Sequence, residues 1–157
     1  MRRIGMKMPV RSLLACRKAG LPVALGCSVL TQETGGGVNE YGHDPTIFVG
    51  AGTVTQTNYH AYLALRNRTK KAQGVGPVQL TYPGYQDAAD RAGGCWRPLI
   101  NMQIGFGVLA DHIRRDGLTA GVAAYNGSGP AATAYANAVI GRAAEYAKAL
   151  HLAWPPA

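Results

Sequence analysis

The chemistry-bearing residue that stands out first is Glu33. It is the earliest acid in the chain, it follows the apolar stretch of residues 23–30, and Gly35, Gly36 and Gly37 come directly after Thr34. A carboxyl group at the C-terminal end of an apolar helix meets aligned carbonyl dipoles and apolar surface, and both disfavour its charged form. A rise from about 4.3 to about 6 corresponds to roughly 2.3 kcal/mol, and lifts the protonated fraction at neutral pH from roughly one in 500 to about one in ten. That is the requirement for a general acid that protonates a leaving oxygen. On position alone the plainer reading weighs more: a glutamate that ends a helix beside a glycine turn.

The other acids are weaker candidates. Asp44 follows the glycine-rich loop that starts at Gly35, which could fold it back toward Glu33 as a second carboxylate; an Asx-type turn before Pro45 explains it equally well. Asp87 and Asp90 read as mostly surface, and Asp111, Asp116 and Glu145 as solvated helix faces or ends. His43, His60, His112 and His151 share no HxxxH spacing and no nearby cysteine, so no metal site is expected; His43 is placed at the border of any cleft beside Glu33. Cys16, Cys27 and Cys95 form no CxxC pair, which leaves at most one optional bridge, and Cys27 reads as core. The chain has no GxSxG elbow and no GxxxxGK[ST] loop, so esterase, peptidase and nucleotide-binding readings lack support.

The elements that must position these residues are mostly helical. A short amphipathic helix is expected over residues 9–18, and a second, starting with Pro22 and apolar on nearly every side, runs to Glu33 and Thr34. Residues 35–53 are rich in Gly, Asn, Asp and Pro and read as a functional loop carrying Tyr41, His43 and Phe48. A third helix is expected over residues 55–68. GVGPVQLTYPGY, residues 74–85, reads as an extended or hairpin segment crossing a cleft, with short helical pieces over 86–91. Pro98 opens the clearest helix, in which Leu99, Met102, Phe106, Leu109 and Ile113 recur at three- and four-residue steps. The last long helix, residues 131–150, puts Ala132, Tyr135, Val139, Ala143, Tyr146 and Leu150 on one face and reads as packing. Asn101 and Asn126 read as polar groups that bond backbone at helix junctions.

The 157 residues suit one domain, expected over residues 1–150, with AWPPA inside a tail or linker start at 151–157. Hydrophobic residues at 47% and charged residues at 15% fit a globular chain rather than a disordered one. No segment reaches the length of a membrane span, and the basic start is broken by polar residues before an apolar run reaches signal-peptide length. Sixteen lysines and arginines against eight acids favour an anionic partner such as nucleic acid, acidic lipid or wall polymer. The densest spots are Arg2 with Arg3, residues 66–71, and Arg114 with Arg115. They carry no interleaved aromatics for base stacking, and a solvated face is the plainer account of them.

Several motifs together change the weight on Glu33. QETGGG at residues 32–37, Asn39, YGHD at 41–44, GVGPVQLT at 74–81 and AAYNGSG at 123–129 occur in the order found in the lysozyme-like superfamily. The chain resembles goose-type lysozymes and soluble lytic transglycosylase domains, and most closely the lysozyme-like domains of phage endolysins. The resemblance implies a mostly α, two-lobed fold whose cleft is lined by a short extended or hairpin segment. It implies Glu33 as catalytic acid, Gln79 as a sugar-binding amide and Tyr125 as the hydroxyl that orients Glu33. Beside these, Tyr41, His43 and Asn126 are expected as further substrate contacts, and Asp44 is the candidate second catalytic carboxylate, with the turn before Pro45 as its alternative. Goose-type lysozymes carry an aspartate shortly after the matching glutamine, where this chain has Leu80 and Thr81, so no water-activating base is assigned there.

The function expected from this resemblance is cleavage of the β-1,4 bond between N-acetylmuramic acid and N-acetylglucosamine in peptidoglycan, without a cofactor, by a muramidase or lytic transglycosylase. The expected protein is a monomeric, bacteriolytic endolysin, made in the host cytoplasm and acting at the bacterial cell wall. Its partners would be glycan strands and anionic wall polymers, with no nucleic acid. The rival is a wall-binding or structural module of the same fold without activity.

Overall fold

The structure is a computed structural model that describes residues 1–43 and 47–155. Among the described residues it holds seven α-helices and no strand: α1 (Pro9–Ala19), α2 (Val23–Thr34), α3 (Gln56–Thr69), α4 (Pro83–Arg91), α5 (Pro98–Asp116), α6 (Leu118–Asn126) and α7 (Pro130–Leu150), after a single 3-10 turn over Arg2–Ile4. None of these helices is long and apolar enough to cross a membrane.

Five helices pack in a closed ring, α1 on α2, α2 on α7, α7 on α6, α6 on α5 and α5 back on α1. The composition of α2 requires a position enclosed by others, since every residue from Ala24 to Leu30 is buried. The buried face of α7 is mostly small (Ala132, Ala136, Ala143 and Ala147 around Tyr135 and Val139), which lets it approach α2 closely. Polar bonds then fix the register between the two: Ser28 Oγ donates to the Val139 carbonyl at 2.7 Å, the Thr31 and Tyr146 hydroxyls meet at 2.9 Å, and Arg142 donates to Gln32 Oε1 at 3.0 Å. Each satisfies a group that would otherwise be costly to desolvate. The expected faces of α5 and α7 are thus the packed ones, with Tyr146 and Leu150 only half-buried.

α4 packs on α5, whereas α3 joins the core chiefly through two fully buried tyrosines. The Tyr59 hydroxyl donates to Asp90 Oδ2 at 2.8 Å, and the Tyr62 hydroxyl to Gln86 Oε1 at 3.0 Å. Asp90 is therefore a structural anchor and not the surface acid expected, because its other oxygen accepts the Cys95 amide. α3 begins where its sequence directs, with Thr55 and Asn58 forming a reciprocal capping box.

Three details differ from expectation. Pro22 is the N-cap of α2 rather than its first residue. The helix after the glycine-rich segment starts at Pro83, since proline at the first position costs no backbone bond. The chain also breaks at Gly117 into a separate helix, α6, which folds back on α5. Trp154, within the expected tail, packs against the core. All three cysteines are buried and unpaired, and burial pushes the Cys27 and Cys95 thiols up to about 12.

Candidate active site

Glu33 lies one residue from the end of α2, and the turn behind it explains the three glycines. Gly35 takes a left-handed conformation at φ 62°, and the Gly35 and Gly36 amides close on the Thr31 and Leu30 carbonyls, each at 3.0 Å. The adjacent Thr34 is buried, with its hydroxyl 2.8 Å from the Pro77 carbonyl, so the end of α2 is tied to the glycine-rich turn of residues 76–79.

That turn is closed by reciprocal backbone bonds between Val75 and Leu80, at 3.0 and 3.2 Å. From α5, Asn101 holds it by accepting the Val78 amide and donating to the Val75 carbonyl, the backbone-bonding role its sequence context suggested. Gln79 adopts a left-handed φ of 50°, uncommon for a residue with a side chain, and donates through Nε2 to the Glu40 and Gly76 carbonyls at 3.0 and 2.9 Å. Its amide therefore clamps two loops together. Gly42 is required by this clamp, since a Cβ there would lie 1.9 Å from Gln79 Oε1.

These elements enclose an open cavity of about 940 Å³, near the upper end of the roughly 300–1,000 Å³ usual for ligand pockets. Glu33, His43, Gln79, Tyr125 and Asn126 all line it, as do Tyr82, Tyr85 and His112. Residues expected at one site from four separate motifs thus share one cavity wall. Among the described residues Glu33 is the only carboxylate on that wall. Asp44 lies outside the described residues.

Two expectations need correction. Tyr125 donates its hydroxyl to the Val78 carbonyl at 2.8 Å, and the tyrosine that donates to Glu33 Oε1, at 2.5 Å, is Tyr135 from α7. A phenol has one proton to donate, and the turn carbonyl takes that of Tyr125. Burial first, then the nearby Glu33 charge, push both hydroxyls well above the ordinary tyrosine range, so both remain donors at neutral pH. Tyr41 does not line the cavity. It stacks on Phe48 at 5.2 Å and accepts from Asn58 Nδ2, which ties Tyr41 to the start of α3. Gln79 reaches the cavity as expected, yet with its amide protons already given to backbone.

Sequence reasoning also passed over Glu40. Its side chain is 3% exposed, its carboxylate accepts the Val54 amide at 2.9 Å, and its backbone joins Gly52 to Gly76. Burial raises its pKa, opposed by the Val54 bond and by the Lys7 and Arg11 charges. Nothing in the local sequence marks it. Tyr135 did carry a signal, because a phenol on the buried face of a packing helix needs a polar partner.

Among the described residues no group of three His, Cys, Asp or Glu side chains is arranged to hold a metal ion. No protein-family model matches the chain, and no curated protein or solved structure is significantly similar to it.

Proposed function

We propose that this chain cleaves the glycan strand of bacterial peptidoglycan at the bond between N-acetylmuramic acid and N-acetylglucosamine, with Glu33 protonating the bridging oxygen. The observation that carries the reading is one carboxyl group, held by a tyrosine hydroxyl at 2.5 Å, on the wall of an open cavity that also presents two tyrosine rings. Tyr82 and Tyr85 pack edge to face at 5.1 Å, a surface suited to the apolar faces of sugar rings. In this reading the helix ring and the α3–α4 side are the two lobes of a lysozyme-like fold, and the 76–79 turn is the segment lining the cleft. The motif order supports a phage endolysin that acts at the wall as a monomer, its net charge of +8 keeping it near anionic wall polymers.

Both hydrolytic routes need a second carboxylate, about 5–5.5 Å from the acid for retention or about 6.5–9.5 Å for inversion. Because Leu80 and Thr81 stand where goose-type lysozymes carry an aspartate, the lytic transglycosylase route is the better fit. There Glu33 acts first as acid and then as base, while the muramic acid hydroxyl closes a 1,6-anhydro ring. Digestion of purified peptidoglycan, with product ends identified by mass, tests this directly. Anhydro ends are expected. Reducing ends would replace the transglycosylase with a muramidase, and wall binding without cleavage would leave an inactive binding module.

A further inference from the structure

The distribution of charge along the chain is uneven. Residues 1–32 hold Arg2, Arg3, Lys7, Arg11, Arg17 and Lys18, and none of the chain's eight acids. All six side chains belong to exposed residues, and among the described residues none is in an ion pair, the three pairs formed being Arg66–Asp87, Arg114–Asp111 and Arg115–Asp116. Two of them have a neutral side-chain acceptor, Lys18 in Gln103 Oε1 at 3.1 Å and Arg11 in the Met8 sulfur at 3.8 Å.

The helix bearing three of these six cations, α1, also leaves apolar surface uncovered. α1 turns Ser12, Ala15 and Cys16 inward, while Val10 is 68% exposed and Leu14 is 46% exposed, one turn apart on the outer face. Arg11, Arg17 and Lys18 flank that pair. Beside the first turn lies a groove of about 220 Å³ lined by Arg2, Lys7 and Arg11 together with Met8, Pro9 and Val10. Single exposed apolar side chains are ordinary on soluble proteins. Here two adjacent ones stand inside a field of one sign, next to a groove that combines three cations with an apolar floor.

We propose that this outer face of α1, with the preceding turn, docks on an anionic phospholipid surface. The cations meet phosphodiester headgroups, the groove receives one headgroup, and Val10 and Leu14 enter the boundary of the acyl region. Interfacial helices bind by this pairing of buried apolar side chains with attraction to anionic lipid. Nucleic acid would use the same cations, but it has no counterpart for Val10 and Leu14, and α1 carries no aromatic side chain on which a base could stack. The inference is independent of the proposed cleavage, because none of these residues lines the cavity beside Glu33.

Co-sedimentation with vesicles tests it. The protein is expected to sediment with phosphatidylcholine vesicles containing phosphatidylglycerol and to stay in solution with phosphatidylcholine alone. The Arg2→Gln/Lys7→Gln/Arg11→Gln variant should lose partitioning on the order of a hundredfold, at about fivefold per cation. Val10→Ser/Leu14→Ser leaves charge untouched and should still lose about tenfold. Arg68→Gln/Lys70→Gln/Lys71→Gln removes the same charge from another exposed stretch and should lose less than about fivefold. All the substituted side chains belong to exposed residues, so unchanged circular dichroism should accompany every variant. Equal losses in the two cation triples, or full binding by the serine variant, would overturn the proposal. So would binding to duplex DNA as tight as to the vesicles and indifferent to the serine substitutions, which would make the face a general polyanion surface.

Discussion

The Tyr135 hydroxyl meets Glu33 Oε1 at 2.5 Å, across 102 positions of sequence. A donor to a carboxyl oxygen favours the ionised form, so this contact opposes the effects that would keep Glu33 protonated. Tyr135→Phe removes that donor. Where activity requires the protonated acid, the basic limb of the pH–rate profile is expected to move to higher pH, with the fold retained. A profile that keeps its basic limb in place would show that the contact has no influence on the reacting group.

Tyr125→Phe should behave differently. It removes the donor to the Val78 carbonyl and leaves that turn carbonyl short of a partner, at about 1–3 kcal/mol. The expected result is a lower melting temperature without displacement of either pH limb. If Tyr125→Phe shifts the profile and Tyr135→Phe does not, the roles of the two tyrosines are the reverse of those described.

Glu33→Gln keeps the acceptor for Tyr135 and removes the titratable proton. Peptidoglycan cleavage should fall by a factor on the order of a hundred or more while thermal unfolding is little changed. Near-normal lysis by a folded Gln variant would end the case for Glu33 as acid. Asp44→Asn, assayed beside it, should retain substantial activity if the transglycosylase route holds, and lose nearly as much as Glu33→Gln if Asp44 activates water.

The Gln79 clamp predicts an unusual ranking of variants. Gln79→Ala loses both amide bonds and keeps the left-handed backbone, whereas Gln79→Gly loses the same bonds but relieves the strain at φ 50°. The glycine variant should therefore be the more stable, by about 1 kcal/mol in denaturant titration. Gly105→Ala tests the other side of the turn. Its new methyl would lie 2.4 Å from Val78 Cγ2 and 3.0 Å from the Tyr125 hydroxyl, and should cost about 1–3 kcal/mol through overpacking.

Glu40 predicts a pH-dependent stability difference. Its folded pKa is raised above the ordinary value of 4.5, chiefly by burial, so ionisation penalises the folded state. The penalty is absent below the unfolded value and grows as pH rises from there through the folded value. Glu40→Gln retains an acceptor for Val54 and has no charge to desolvate. Its melting temperature should match the parent near pH 4 and exceed it at pH 7. A gap that widens toward acid would have the wrong sign for a buried, unfavourably ionised carboxyl.

The helices were legible because their determinants are local. Pro9, Pro98 and Pro130 open helices, Thr55 with Asn58 caps one, and three- and four-residue apolar steps mark the buried face of α5. Glu33 was legible for the same reason, as the acid that follows an apolar helix and precedes a glycine turn. α6 was missed because nine residues between two glycines show too little periodicity to distinguish a helix from a loop.

Partner choice was not legible, because it depends on distances between segments far apart in the chain. The sequence pointed to Tyr125 as the partner of Glu33 and to Tyr135 only as a packing residue, and packing reversed the two. The close approach of α7 to α2 brings Tyr135 to the carboxyl, while the turn held by Asn101 and Thr34 presents the Val78 carbonyl to Tyr125. The same distinction separates Glu40 from Glu33. Both lie near glycines in one polar stretch, yet burial closes one into a backbone clamp and leaves the other on a cavity wall, a difference set by the solvent left around each carboxyl after folding.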